Sequence, residues 1–153
     1  MLIPSWQKLI AIIIYMLPWS DAIPFSRYII SEFPILTWLI IPTWPIYIIK
    51  QIIPYGGILL FFGLFLGVIR NPKVPYFLRF NSLQAILIDI TLVLISYAFQ
   101  IILNPLGESL LIRTLSSSIW IMMLAITIFS IFECIRGKEP DLPTISEAVR
   151  MQI

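Results

Sequence analysis

Few residues in this chain are equipped for chemistry, and the most telling of them stands in an apolar setting. Asp89 falls inside "NSLQAILIDITLVLISYAFQ", residues 81–100. On a helix rising ~1.5 Å per residue it lies ~15 Å beyond Arg79, near the midplane of a bilayer that the segment would cross. An acid at that depth costs ~2.5–3.5 kcal/mol on insertion scales, so its side chain is expected to face protein or water rather than lipid. At ~3.6 residues per turn, Asp89, Ser96 and Gln100 share a narrow arc, with Asn81 on its edge. Gln84 adds a further amide to the same segment. Two chemistries fit this pattern. The polar face lines a hydrated path or groove, or it bonds to neighbouring helices with a protonated Asp89 acting as glue.

Other chemistries are excluded by residue type. The chain has 153 residues, no histidine and one cysteine, Cys134. Disulfide frameworks, zinc sites of the usual kind and histidine ligation of haem or pigment are therefore absent. Intramembrane proteolysis needs paired aspartates, a Ser–His pair or a histidine metal motif. Of the three aspartates here, only Asp89 lies inside a clear span. No phosphate-binding glycine loop is present. The expectation is a protein without catalytic residues, metal or cofactor, and not an enzyme. A net charge of +2, scattered along the chain, gives no basis for nucleic-acid binding.

The elements that hold these residues follow from composition. The chain is 59% hydrophobic and 12% charged, with mean hydropathy +0.98. A soluble domain of this size could not bury so much apolar surface, so the class is membrane protein. Ser82–Leu103 and Leu110–Ile135 are each long enough to span a core of ~30 Å. Tyr55–Ile69 with Ile52 and Ile53 makes a further span, ending at Arg70-Asn71-Pro72. The N-terminal region offers two short runs, Leu9–Leu17 and Ile35–Ile49, the second interrupted by Pro42 and Pro45. Trp6, Trp19, Trp38 and Trp44 lie here, and indole rings favour the headgroup zone.

The expected fold is thus all-α and multi-pass, with four transmembrane helices plus an N-terminal interfacial or re-entrant region. One domain covers 1–136, with one crossing within 1–50 and spans at 52–70, 80–103 and 110–136. A polar tail follows over 137–153, with a short helix beginning near Ser146. The N-terminus lacks a small-x-small cleavage site and has only Lys8 as a cation, so it is not read as a cleaved signal. Isoleucine makes up roughly a fifth of the chain, which points to an AT-biased genome.

Gly56, Gly63 and Gly67 share one helix face, and Gly63-Leu-Phe-Leu-Gly67 is a spacing that lets two helix backbones approach closely. Glu133 is placed to pair with Arg136 three residues on. The loop with Arg70, Asn71, Lys73 and Arg79 has no acid and is expected on the cytoplasmic or stromal side. Asn104–Ser109 has Glu108 and no cation, which suits the opposite side. Arg136 and Lys138 return the tail to the basic side, so both termini are expected on the side of synthesis.

"LGVIRNPKVPYFLRFNSLQAILIDI" (Leu66–Ile90) resembles the signature of the Tic-twenty family, the small multi-pass subunit of the translocon at the inner chloroplast envelope, which has cyanobacterial and plastid-encoded relatives. Arg70, Asn71, Pro72, Pro75, Arg79, Phe80, Asn81, Gln84, Ala85 and Asp89 occupy matching positions. "GKEPDLPTISEAVRMQI" is similar to the family's C-terminal pattern at Gly137, Lys138, Pro140, Pro143, Ser146, Ala148, Val149 and Gln152. Tyr15–Pro34 matches more loosely, with Asp21-Ala22 where Asp-Gly is often found. The resemblance implies a four-helix subunit in precursor import, part of a channel with other translocon subunits, and it supplies no catalytic residues. The expected partners are the lipid bilayer, other membrane subunits and precursor polypeptides. The expected membrane is the plastid inner envelope, or a cyanobacterial plasma or thylakoid membrane. Two alternatives stand beside this reading: an accessory or assembly subunit docked on another membrane complex, and an oligomeric channel for small solutes or protons.

Overall fold

A computed structural model describes residues 2–153. Among them there is no strand, and the architecture is all-α. Seven α-helices follow in order: α1 Ser5–Asp21, α2 Arg27–Glu32, α3 Trp44–Ile52, α4 Gly56–Leu64, α5 Tyr76–Ala98, α6 Leu110–Arg136 and α7 Ile145–Arg150. By length and composition, Pro34–Ile52, Tyr76–Leu106 and Leu110–Arg136 can each cross a membrane. Ser5–Asp21 with Ile23–Glu32, bent by 61°, makes a fourth such stretch.

The core is built by α1, α5 and α6. Ala11, Ile14, Tyr15 and Trp19 form the inward face of α1 and pack with Phe77, Leu78, Ile88 and Leu92 of α5. The buried stripe of α6 runs Ile112, Ser116, Trp120, Met123, Thr127, Ser130, Cys134. Several of these are small and weakly polar, as expected where lipid removes any hydrophobic drive and close approach of helices takes its place. The outer face of α6 shows Ile121, Ile128, Phe132 and Ile135 to the surroundings. Apolar groups outside and small polar groups inside is the pattern of a chain solvated by hydrocarbon.

The ends of α6 are set locally. Ser109 Oγ accepts the N–H of Ile112 (3.4 Å) at its start. At its end Gly137 adopts φ +72°, and the N–H groups of Gly137 and Lys138 bond to the carbonyls of Cys134 and Glu133. This left-handed cap satisfies carbonyls that the helix leaves open. Lys8 of α1 adds a bond from Nζ to the Ile135 carbonyl (3.0 Å), which brings the start of α1 to the end of α6. Glu133 pairs with Arg136 at 2.9 Å, as its spacing indicated.

The N-terminal region is more regular than its interruptions implied. The run Leu9–Leu17 extends to a 17-residue helix. The stretch 34–43 folds into two 3-10 turns before α3. Trp19 anchors it by donating from Nε1 to the Leu39 carbonyl (2.8 Å) while its ring lies 5.4 Å from that of Trp120.

The span expected over 52–70 is drawn differently. Ile52 closes α3, and Tyr55 takes φ +59° before a new helix begins at Gly56. From Gly56 to Ile69 the helix measures ~21 Å at ~1.5 Å per residue, short of a ~30 Å core. Its last turn, Phe65–Ile69, is widened into a π-helix. Pro54 and the left-handed Tyr55 are the physical reason for the break.

Gly56 is required at this turn. A Cβ there would stand 2.7 Å from the Ile49 carbonyl oxygen and 2.9 Å from Lys50 Cα, both backbone atoms. Gly56→Ala is therefore expected to destabilise the chain by about 1–3 kcal/mol. Gly63 and Gly67 have nothing within 4 Å of an added Cβ. Gly63→Ala should leave thermal stability in detergent unchanged, and equal melting of the two variants would refute the distinction.

Candidate functional site

Three charges meet where α1, α3 and α5 approach one another. Asp21 ends α1, Lys50 lies in the last turn of α3, and Asp89 is mid-way along α5. Lys50 Nζ donates to Asp21 Oδ1 at 2.6 Å and to Ser20 Oγ at 3.1 Å. It stands 3.8 Å from Asp89 Oδ1. That second contact is an ion pair without a hydrogen bond, and Asp89 Oδ1 is buried with no donor. The Lys50 and Asp89 side chains are each 13% exposed, and that of Asp21 25%.

The trio separates two cavities. One, of about 520 Å³, opens between α4 and α5, with Ile58, Phe61 and Phe62 facing Ile90, Val93 and Leu94. The other, of about 600 Å³, is lined by Ser20, Tyr47, Gln51, Ser96, Tyr97 and Gln100. Asp21, Lys50 and Val93 belong to both walls. The two cavities thus adjoin along α5 and meet at the charges, forming a groove that is apolar on the α4 side and polar beyond them. Near Gln100 the helix widens into a π turn, Phe99–Leu103, which re-aims side chains at the polar end.

The five polar candidates divide into two groups. Asp89, Ser96 and Gln100 face the groove. Asn81 and Gln84 do not: both are fully buried, on the side where the C-terminal tail docks. Tyr15 donates to Asn81 Oδ1 (3.0 Å), and Asn81 Nδ2 donates to the Phe77 carbonyl (2.7 Å). Gln84 Nε2 donates to the Tyr15 hydroxyl (3.2 Å) and the Pro140 carbonyl (3.1 Å). Ser146 Oγ lies 2.9 Å from Gln84 Oε1 and accepts the Leu142 N–H at 2.7 Å. Neither amide reaches the groove: Gln84 latches the tail, and Asn81 ties α5 to Tyr15 of α1 and Cys134 of α6. The tail is polar in composition but buries Pro140, Leu142, Ser146 and Val149.

The glycine face also divides, since Gly56 packs on the α3 backbone whereas Gly63 and Gly67 are open. The residues of the basic loop mostly shape it. Arg79 Nε donates to the Ile69 carbonyl (2.9 Å), and Asn71 Oδ1 accepts the Lys73 N–H (3.0 Å). The Arg70 guanidinium lies 5.6 Å from the Phe65 ring centroid.

Charge sorts the bundle into two ends and a middle. Lys8, Arg70, Lys73, Arg79, Arg136, Lys138 and Arg150 lie toward one end, seven of the ten cations. At the other end Arg27 pairs with Glu108 and Arg113 with Glu32, at 2.8 and 2.5 Å. Glu108 thus has a cation after all, supplied by α2 rather than by its own loop.

Sequence reasoning found Asp89 and missed its partners. Asp21 reads as a helix boundary, and Lys50 carries no reading of its own. A usable signal was present. Lys50 is the one charge between Phe33 and Ile69, and Asp21 the one charge between Leu9 and Ser26. Lone charges in apolar stretches seek one another, because hydrocarbon offers them nothing else.

A family profile described as "Chloroplast import apparatus Tic20-like" matches residues 4–149. A "Tic20 family protein" of Synechocystis sp. (strain ATCC 27184 / PCC 6803 / Kazusa) is 31% identical over 148 residues, covering 96% of this chain and 92% of that one. "Protein TIC 20-v, chloroplastic" of Arabidopsis thaliana is 30% identical, covering 96% of this chain and 71% of its own length. "Protein TIC 20-II, chloroplastic" of the same plant is 26% identical, with 98% and 74% covered. With a profile matched from the first turn of α1's approach to the end of α7, and relatives aligned along nearly all of the chain, this protein belongs to the Tic20-like chloroplast import apparatus family.

Proposed function

We propose that this chain is a membrane subunit of a protein-import translocon, in a plastid envelope or a cyanobacterial membrane, and that the groove along α5 forms part of the path for precursor polypeptides. It acts by shaping a passage and catalyses no reaction. The observation that supports this most is the α5 face from Asp89 to Gln100, whose polar side chains line two cavities bounded on their far side by α3 and α4. A groove polar at one end and apolar at the other can accommodate an extended chain of mixed side chains. One copy encloses too little space for a polypeptide, so the passage needs partner subunits or further copies. In this reading the basic end, where Lys8 of α1 meets the end of α6, faces the stroma or cytoplasm, as the positive-inside rule suggests.

Photo-crosslinkers at Ser96 and Gln100 are expected to label a precursor arrested in transit, while the same groups at Asn81 and Gln84 label none. Labelling confined to Gly63 and Gly67 would remove the groove from the path.

A second reading, an accessory subunit docked on a larger complex, is favoured by one feature. Gly63 and Gly67 present an open face suited to close helix approach, and nothing within this chain fills it.

A further inference from the structure

The charges at the centre of the molecule do not balance. Asp21 and Asp89 present two carboxylates to the single ammonium of Lys50, and the groups lining both cavities supply no further cation. The other titratable side chains lining these cavities are the phenols Tyr47 of α3 and Tyr97 of α5, and neither is a cation. From α4 come only Gly57, Ile58, Phe61 and Phe62. Lys50 is committed to Asp21 at hydrogen-bonding distance, which leaves Asp89 Oδ1 buried without a donor. Both carboxylates converge on the same ammonium, Asp21 Oδ1 at 2.6 Å and Asp89 Oδ1 at 3.8 Å. Two ionised carboxylates only accept hydrogen bonds, so the one that Lys50 leaves without a donor is relieved by a proton of its own.

A net negative charge deep in a membrane-spanning bundle is costly, and the smallest remedy is one bound cation. A metal ion is a poor fit, since hard cations seek several oxygen ligands and here an ammonium already occupies the space between the carboxylates. A proton needs one oxygen and the direction of one hydrogen bond.

We propose that Asp21 and Asp89 together hold one exchangeable proton beside Lys50, making the trio a proton-binding site in the membrane-embedded core. The proton comes from water in the adjoining cavities. An O–H bond forms at a carboxylate oxygen on uptake and breaks on release, with no other reactant. The break between α3 and α4, at Pro54 and Tyr55, leaves the site open toward two cavities rather than sealed within packed helices. This charge count is independent of what the chain transports, so the proposal stands or falls apart from the translocation reading.

Infrared absorption of the full chain in neutral phospholipid vesicles tests it. The wild type is expected to show a protonated-carboxyl C=O band near neutral pH, worth one carboxyl per chain, shifted in D₂O and lost as pH rises. Asp89→Asn and Asp21→Asn should each abolish the band at neutral pH, because each leaves one carboxylate to one ammonium. A wild type without the band overturns the proposal, whether the charge is then balanced by sodium, potassium or nothing. Persistence of the band in either variant overturns it as well, by placing the proton on one residue or elsewhere. Should one variant fail to fold, the wild-type titration and the other variant decide.

Discussion

Lys50→Met is expected to be among the most damaging single substitutions in this protein, costing about 3 kcal/mol at neutral pH. Methionine keeps the length and apolar stem of lysine, so the loss isolates the charge. It leaves Asp21 and Asp89 facing each other with no ammonium between them, in a site where each side chain is largely buried. Breaking a buried pair by removing one partner typically costs 3–5 kcal/mol, and the lower end applies because the orphaned carboxylates can take up protons. Two controls separate this account from simple packing loss. Adding Asp89→Asn to Lys50→Met should recover part of the stability by removing one of the two carboxyl groups left without an ammonium. Lowering pH should also recover part of it, because protonation neutralises the buried carboxylate charge that Lys50 no longer balances. Thermal melts in detergent measure both. A Lys50→Met melt that matches the wild type at neutral pH would show that the ammonium is not what holds α3 against α1 and α5.

Gln84→Leu is the second large effect, about 2 kcal/mol, and it should be felt at the C-terminus rather than in the groove. Gln84 joins Tyr15 of α1 to Pro140 and Ser146 of the tail, and no part of it is exposed. Leucine fills the space but removes the amide's bonds to the Tyr15 hydroxyl, the Pro140 carbonyl and the Ser146 hydroxyl. The tail then keeps only its internal bonds, Ser146 Oγ to the Pro140 carbonyl (3.0 Å) and the Leu142 N–H to Ser146 Oγ (2.7 Å), and no hydrogen bond ties it to α5 there. Buried polar groups without partners favour the state in which water reaches them, and here that state is an undocked tail. The measurement is limited proteolysis after Gly137, in lipid. Cleavage should be faster in Gln84→Leu than in wild type, and Ser146→Ala should lie between them. If tail protection is the same in all three chains, the latch has been misread and apolar packing of Leu142 and Val149 holds the tail alone.

The two expectations concern different depths of one helix. Toward its start α5 is a structural hub, with Asn81 and Gln84 wrapped by α1, α6 and the tail. Further along it becomes one wall of a groove. A helix of this length can serve both purposes because its partners change along its axis, not because its own periodicity changes.

The sequence by itself determined the membrane class, the long helices α5 and α6, the Glu133–Arg136 pair and the unusual status of Asp89. Each depends on composition or on neighbours within a few positions, which a helix converts directly into geometry. The family signature was also legible, because its motifs are local strings. What only the tertiary structure decided was which lone charges meet. Asp21, Lys50 and Asp89 lie on three different elements, and no helical periodicity links them. The same limit explains Asn81 and Gln84, which share α5 with the groove residues yet bond to segments more than fifty positions away, Asn81 to Tyr15 and Cys134, Gln84 to Tyr15 and the tail. It also explains the glycines, where one face of three divided into a tight turn at Gly56 and open space at Gly63 and Gly67. Periodicity assigns a side chain to a face of its helix, but which neighbour covers that face is settled by packing among segments distant in the chain.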